Sequence, residues 1–171
     1  GGGGGGGFVG RSVLGTLAVR GLGRPGRQRI GPQGRQDAPR GEIIRTNKAE
    51  LMVSIHANSI GYATDPREMK GTGSFYKHMA YKPLAEIMYN KMRELGLDDY
   101  GLTGSFNFSL NAPTDFPNVL VETAFLSNPE EEIFLLDPYY QRRMAQQIVE
   151  GLEEYYTQYA WWPNEELEAD K

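Results

Sequence analysis

The chain has 171 residues, of which 18 are Lys or Arg, 22 are Asp or Glu and none is Cys. That length suits one domain with an appended segment, and 39% apolar residues suffice for a core. The lack of Cys excludes a disulfide scaffold and thiolate metal sites, and no run approaches the ~20 apolar residues of a membrane span.

Charge divides the chain in two. Residues 1–40 hold 14 of the 22 Gly, seven Arg, no Lys and a single acid, Asp37, a net charge of +6. Residues 41–171 hold the other 11 basic and 21 acidic residues, a net charge of −10. Residues 1–39 therefore read as a Gly/Arg-rich segment, disordered or translated out of frame, because Arg without Lys among Gly and Pro is what GC-rich DNA encodes in the wrong frame. Its apolar residues, from Phe8 to Leu22, suffice for one short helix. A basic arm for nucleic acid would carry interleaved aromatics, and only Phe8 is present, so no nucleic-acid partner is expected. No charged-then-apolar signal pattern opens the chain, and an export signal is expected outside it.

Residues 40–160 read as an α/β unit. The nearly continuous apolar run Leu51-Met-Val-Ser-Ile-His56 suits a strand covered on both faces. A weaker strand follows at Gly71–Lys77. Pro83 opens a helix whose stripe is Leu84, Ile87, Met88, Met92 and Leu95, and Gly96 ends it. Residues Asp98 to Pro117 have no regular period and read as a long loop of functional kind. Val119–Leu126 is a second core strand. Asn128, Pro129 and Glu131 then form an N-cap, N1 and N3 set for a short helix. A last helix starts at Asp137-Pro138 with a buried stripe of Met144, Ile148, Leu152, Tyr155 and Tyr159, and 161–171 is an acidic tail.

Two residues carry the chemistry. His56 ends an apolar strand, and in open α/β sheets sites form beyond the carboxyl ends of strands. A neutral imidazole there is a natural zinc ligand, or else a hydrogen-bonded core residue. Glu122 interrupts the apolar run Val119–Leu126. A buried carboxylate needs a cation, a metal-bound water or a raised pKa. It is either a general base in a cleft or a structural partner for a cation such as Arg45. Ser74, in the turn GTGS, has no His or Lys placed to activate it and is not read as a nucleophile.

Three segments, SIHANS (54–59), GTGSFYKH (71–78) and VLVETAFLSNPEEE (119–132), resemble in their order the zinc-dependent N-acetylmuramoyl-L-alanine amidases of bacterial cell-wall turnover. The likeness runs from about Arg40 to Tyr159, roughly the C-terminal two thirds of that catalytic domain. It implies an α/β fold with a mostly parallel sheet flanked by helices, of zinc-hydrolase type. It implies hydrolysis of the amide between N-acetylmuramic acid and L-alanine in peptidoglycan, and a place in the cell envelope. His56 matches a zinc ligand, and Glu122 matches the glutamate that activates the zinc-bound water. Asn58 and, in the loop Thr103–Asn111, Phe106, Asn107 and Phe108 are assigned to substrate contact.

The departures from the family pattern set a second expectation. The family's N-terminal third supplies a His in a DPGHGG-type motif and a Glu on the following helix, and neither motif stands in this sequence. The zinc ligand set is therefore expected to be incomplete, with that third missing or replaced. The apolar faces of Leu51–Ile55 and of the last helix are expected to stay exposed. The alternative to an amidase is accordingly an inactive remnant or a peptidoglycan-binding module without a complete zinc site.

Overall fold

The structure, a computed structural model, describes residues 12–19 (as backbone), 44–60, 65–104 and 108–159. Five strands form one sheet: β1 (Ser12–Val19), β2 (Leu51–Asn58), β3 (Thr72–Tyr76), β4 (Asp99–Gly104) and β5 (Asn118–Phe125), in the order β1-β2-β5-β3-β4. Three α-helices are α1 (Lys82–Arg93), α2 (Pro129–Leu136) and α3 (Pro138–Tyr159), and residues 44–46 are α-helical as well. The α/β architecture with flanking helices is as the resemblance implies, and its sheet is mixed. β2 pairs with β5 and β3 with β4 in parallel, whereas β1 with β2 and β3 with β5 are antiparallel.

The two apolar runs become the two central neighbours. β5 is buried at all eight positions and β2 at all but Ile55, which suits strands covered on both sides. Alternate residues serve two different cores. Leu51, Val53, Val119 and Val121 pack beneath α1 and α3, against Leu84, Met88, Met92, Met144, Ile148 and Leu152. Met52 and Leu120 face the other way, with Ile44, Phe75, Leu110 and Phe116. Leu51 and Val53 are thus covered, as is the last helix along Met144, Ile148 and Leu152, where the sequence suggested exposure. Within that helix stripe Tyr155 is only partly buried and Tyr159 stands out at the helix end.

Three further elements differ from the sequence reading. Ser12–Val19 is a strand and not a helix, because it adds to the open edge of β2 with Ser12 opposite Ala57 and Val19 opposite Leu51. The stretch from Asp98 to Pro117, read as loop, contains β4 and a short 3-10 turn at Ser109–Asn111. β4 is an edge strand without a buried residue, and so it lacks the apolar run that revealed the central strands. Finally, Asn128 and Pro129 cap α2 as expected, with Asn128 Oδ1 accepting the Glu130 N–H at 3.0 Å. Glu131, however, does not reach back to the cap. Its two carboxylate oxygens accept the backbone N–H of Gly71 at 2.6 Å and of Phe125 at 2.7 Å, joining α2 to the start of β3 and the end of β5.

Among the described glycines, Gly71 is the one that can least tolerate a side chain. Its φ is +100°, and a Cβ there would collide with the backbone of Asp98, whose carbonyl accepts the Thr72 N–H at 2.9 Å. Gly96 also has a positive φ, +84°, but nothing lies within 4 Å of its Cβ position. Gly96→Ala is therefore expected to cost about 1 kcal/mol, the left-handed backbone penalty alone. Gly71→Ala should cost about 3 kcal/mol or more, because steric displacement of the β3–β4 pair is added to it. Urea unfolding of the two variants beside the parent chain checks the ranking.

Candidate active site

His56 and Glu122 lie next to each other at the carboxyl ends of two adjacent parallel strands. The register of β2 and β5 sets Met52 opposite Asn118, Ser54 opposite Leu120 and His56 opposite Glu122. Side chains at paired positions leave the same face, from strands about 4.8 Å apart. The imidazole and the carboxyl group therefore share the face that carries Met52 and Leu120 lower down. Both are buried, His56 to 3% and Glu122 to 0% exposure. Antiparallel pairing of β3 puts Gly73 on the other flank of Glu122, and the Tyr100 ring takes the space that a Gly73 side chain would fill.

Regular pairing stops just past this point. His56 pairs with Glu122, but Asn58 pairs with Phe125, so β5 carries one residue more than β2. This is a bulge, a device that re-aims a side chain and leaves ladder groups unpaired. Two threonine hydroxyls take up the carbonyls there. Thr123 Oγ1 donates to His56 O at 2.8 Å, and Thr72 Oγ1 donates to Glu122 O at 2.9 Å. Regular pairing resumes with the Leu126 N–H donating to Asn58 O at 2.8 Å.

The remaining sequence candidates are placed as follows. Asn58 is buried at the end of β2, and its Oδ1 accepts the Ser59 N–H at 2.9 Å. Phe108 is half-buried, edge-on to Phe75 with centroids 5.2 Å apart. Phe106 and Asn107 lie outside the described residues. Ser74 pairs with Val121 and so leaves the opposite face of the sheet from Glu122. Arg45, considered as a partner for Glu122, makes a two-pronged contact with Asp115, Nε to Oδ2 at 2.6 Å and an NH2 nitrogen to Oδ1 at 3.1 Å. His78 sits 3.1 Å from Ala112 O through Nε2 and edge-on to Tyr81.

These contacts tie down the segment that enters β5. The Tyr81 hydroxyl donates to Thr114 O at 2.6 Å, Asn111 Nδ2 to Phe75 O at 2.6 Å, and Asn118 Nδ2 to Pro113 O at 2.9 Å. None of these residues stands out in a sequence, because each works through a backbone carbonyl that any residue provides.

The metal question is one of counting. A catalytic zinc takes three protein ligands. Among the described residues no group of three or more His, Cys, Asp or Glu is arranged to hold a metal ion. The described residues therefore do not by themselves fit a catalytic zinc, and no catalytic step through one is derived from them.

Residues 31–154 match the N-acetylmuramoyl-L-alanine amidase family profile. The chain belongs to that family. Among curated relatives, the germination-specific N-acetylmuramoyl-L-alanine amidase of Bacillus subtilis is 30% identical over 121 residues, which are 68% of this chain and 49% of that protein. The chain spans about half the length of that relative, and 18% of an N-acetylmuramoyl-L-alanine amidase from Neisseria meningitidis that is 35% identical over 74 residues. Among solved structures, the catalytic domain of CwlV, an amidase from Bacillus (Paenibacillus) polymyxa var. colistinus, superposes with a TM-score of 0.64 at 34% identity. That match covers 76% of this chain and 68% of the other. The amidase AmiC2 of Nostoc punctiforme gives 0.63 at 27% identity, covering 79% and 71%. No helix among the described residues is long and apolar enough to cross a membrane.

The Arg45–Asp115 pair offers a test of how much the contacts around the β5 entry contribute. The Arg45 hydrogen bond holds the Asp115 carboxyl below its usual 3.8. Its contribution is thus present above that pH and is lost as pH falls through the lower folded value. The side chains are 54% and 46% exposed, so Asp115→Asn is expected to cost less than about 1 kcal/mol at neutral pH. The cost should shrink further at 1 M salt, measured by urea unfolding.

Proposed function

We propose that this chain is the catalytic portion of a peptidoglycan amidase, acting on the amide between N-acetylmuramic acid and L-alanine at the cell envelope. The observation that carries the reading is the placement of His56 directly beside Glu122, both buried, at the carboxyl end of the central strand pair. Sites of open α/β sheets form at that end. A carboxylate shielded from water and set beside an imidazole is suited to take a proton from an attacking water and return it to the leaving amine. His56 is the position of this chain that matches a zinc ligand of the family. Zinc, when bound, lowers the pKa of a water and polarises the amide carbonyl. The other ligands must come from outside the described residues. Asn58 and Phe106, Asn107 and Phe108 are the proposed contacts to glycan or peptide.

A second reading has a specific observation in its favour. The described residues do not make a complete zinc set, and this is what a remnant, or a module that only binds peptidoglycan, would look like. Zinc stoichiometry after dialysis against a weak chelator, beside hydrolysis of muropeptide amide, separates the two. The amidase reading expects one zinc per chain, lost in His56→Ala. It expects Glu122→Gln to keep the metal while hydrolysis falls by about 10²–10⁴-fold. A chain that retains no zinc and releases no peptide, yet sediments with insoluble peptidoglycan, is the binding module.

A further inference from the structure

The bulge beside Glu122 is held from three directions by side chains that the chemistry above does not use. Thr72 Oγ1 donates to Glu122 O at 2.9 Å, from β3. Thr123 Oγ1 donates to His56 O at 2.8 Å and thereby links the bulged strand to β2. Glu131 accepts the N–H of Phe125, the last residue of β5, at 2.7 Å and the N–H of Gly71, the residue before Thr72, at 2.6 Å. Glu131 thus binds the end of the strand that carries Glu122 and the start of its neighbour β3, and Thr72 closes the circuit between them. All three are buried, Thr72 to 0%, Thr123 to 1% and Glu131 to 5% exposure.

Such an arrangement is costly if it serves stability alone. Burial pushes the Glu131 carboxyl above its usual range, against the two backbone N–H bonds that lower it, with Asp98 raising it and Lys70 lowering it by their charges. A capped helix and a regular strand pair need no buried carboxylate. A bulge leaves backbone groups that no ladder satisfies, and here the Glu131 carboxylate accepts the Phe125 N–H at its end.

We infer that Thr72 and Glu131 are positioning residues that hold the bulged end of β5, and through it keep the Glu122 carboxyl group beside His56. Without the Thr72 hydroxyl the Glu122 carbonyl loses a hydrogen-bond donor, and the peptide after it is free to turn back toward regular pairing. A one-residue slip would carry side chains to the opposite face of the sheet. The inference rests on the amidase reading for its functional meaning, and on the geometry alone for its structural content.

The test uses Thr72→Val, which keeps the shape and removes the hydroxyl, and Thr72→Ser, which keeps the hydroxyl. Glu131→Gln removes one acceptor. With side-chain 13C-labelled Glu, the Glu122 carboxyl signal is followed at one fixed pH together with the His56 ring signals, and melting is recorded beside them. The expected result is that Thr72→Val moves or splits the Glu122 signal, whereas Thr72→Ser restores the parent signal. In Glu131→Gln the Phe125 amide should exchange with solvent about tenfold faster or more. A Thr72→Val protein that melts lower with unchanged Glu122 and His56 signals overturns the inference, since the hydroxyl is then only structural. Should Thr72→Val fail to fold, Thr72→Ser decides: a parent-like Glu122 signal supports the inference, and an altered one overturns it. Where hydrolysis is measurable, Thr72→Val should lower kcat and leave KM unchanged. A chain that binds no zinc and hydrolyses nothing defeats the amidase reading, while the carboxyl signals still report on the brace.

Discussion

The structure depends on one constraint: the central strand β5, buried along its whole length, carries an ionisable side chain near its end. Burying a carboxyl group in an apolar sheet costs several kcal/mol unless the surroundings answer it. The surroundings of Glu122 are built accordingly. His56 stands next to it on β2, Gly73 lies on its other flank, and the backbone just beyond it departs from regular pairing. The bulge, the two threonine hydroxyls and the Glu131 carboxylate follow from that departure, because each takes up a backbone group that the interrupted ladder leaves over.

The rest of the fold keeps this strand end in place. On one face, α1 and α3 cover Val119 and Val121 with a stripe of Leu, Met and Ile side chains. On the other, Phe75, Leu110 and Phe116 gather around Leu120. The two cores differ in character. The helical one is large and continuous, and it makes the sheet. The second is smaller, and lies on the face of the sheet that carries His56 and Glu122. The segment entering β5 is tied by Tyr81, Asn111, Asn118 and the Arg45–Asp115 pair, so β5 is fixed before it reaches the site as well as after it.

Family membership gives the site its chemical meaning, and the described residues set its limits. His56 and Glu122 stand at paired positions on β2 and β5. The described residues do not complete a zinc site, so the ligand count, and not the fold, separates an enzyme from a remnant. The exposed apolar side chains Ile133, Leu136 and Tyr139 around the α2–α3 junction have no part in that question.

The sequence by itself determined the central strands, the helices and the chemical residues. Unbroken apolar runs announce strands covered on both faces, helical stripes announce α1 and α3, and a Glu inside an apolar run announces its own cost. Asn128 and Pro129 were legible as a cap because capping is local. Only the tertiary structure decided what depends on chains meeting across long stretches of sequence. The register that sets His56 beside Glu122 is of this kind, as is the bulge past them. So is the antiparallel β3–β5 pairing that makes the sheet mixed. Glu131 shows the difference most sharply. Its spacing from Asn128 suggested a local cap, yet its carboxylate found stronger use for the N–H groups of Gly71 and Phe125, which only the folded sheet brings to it. Edge strand β4 escaped notice for the related reason that a strand with no buried residue has no pattern to show.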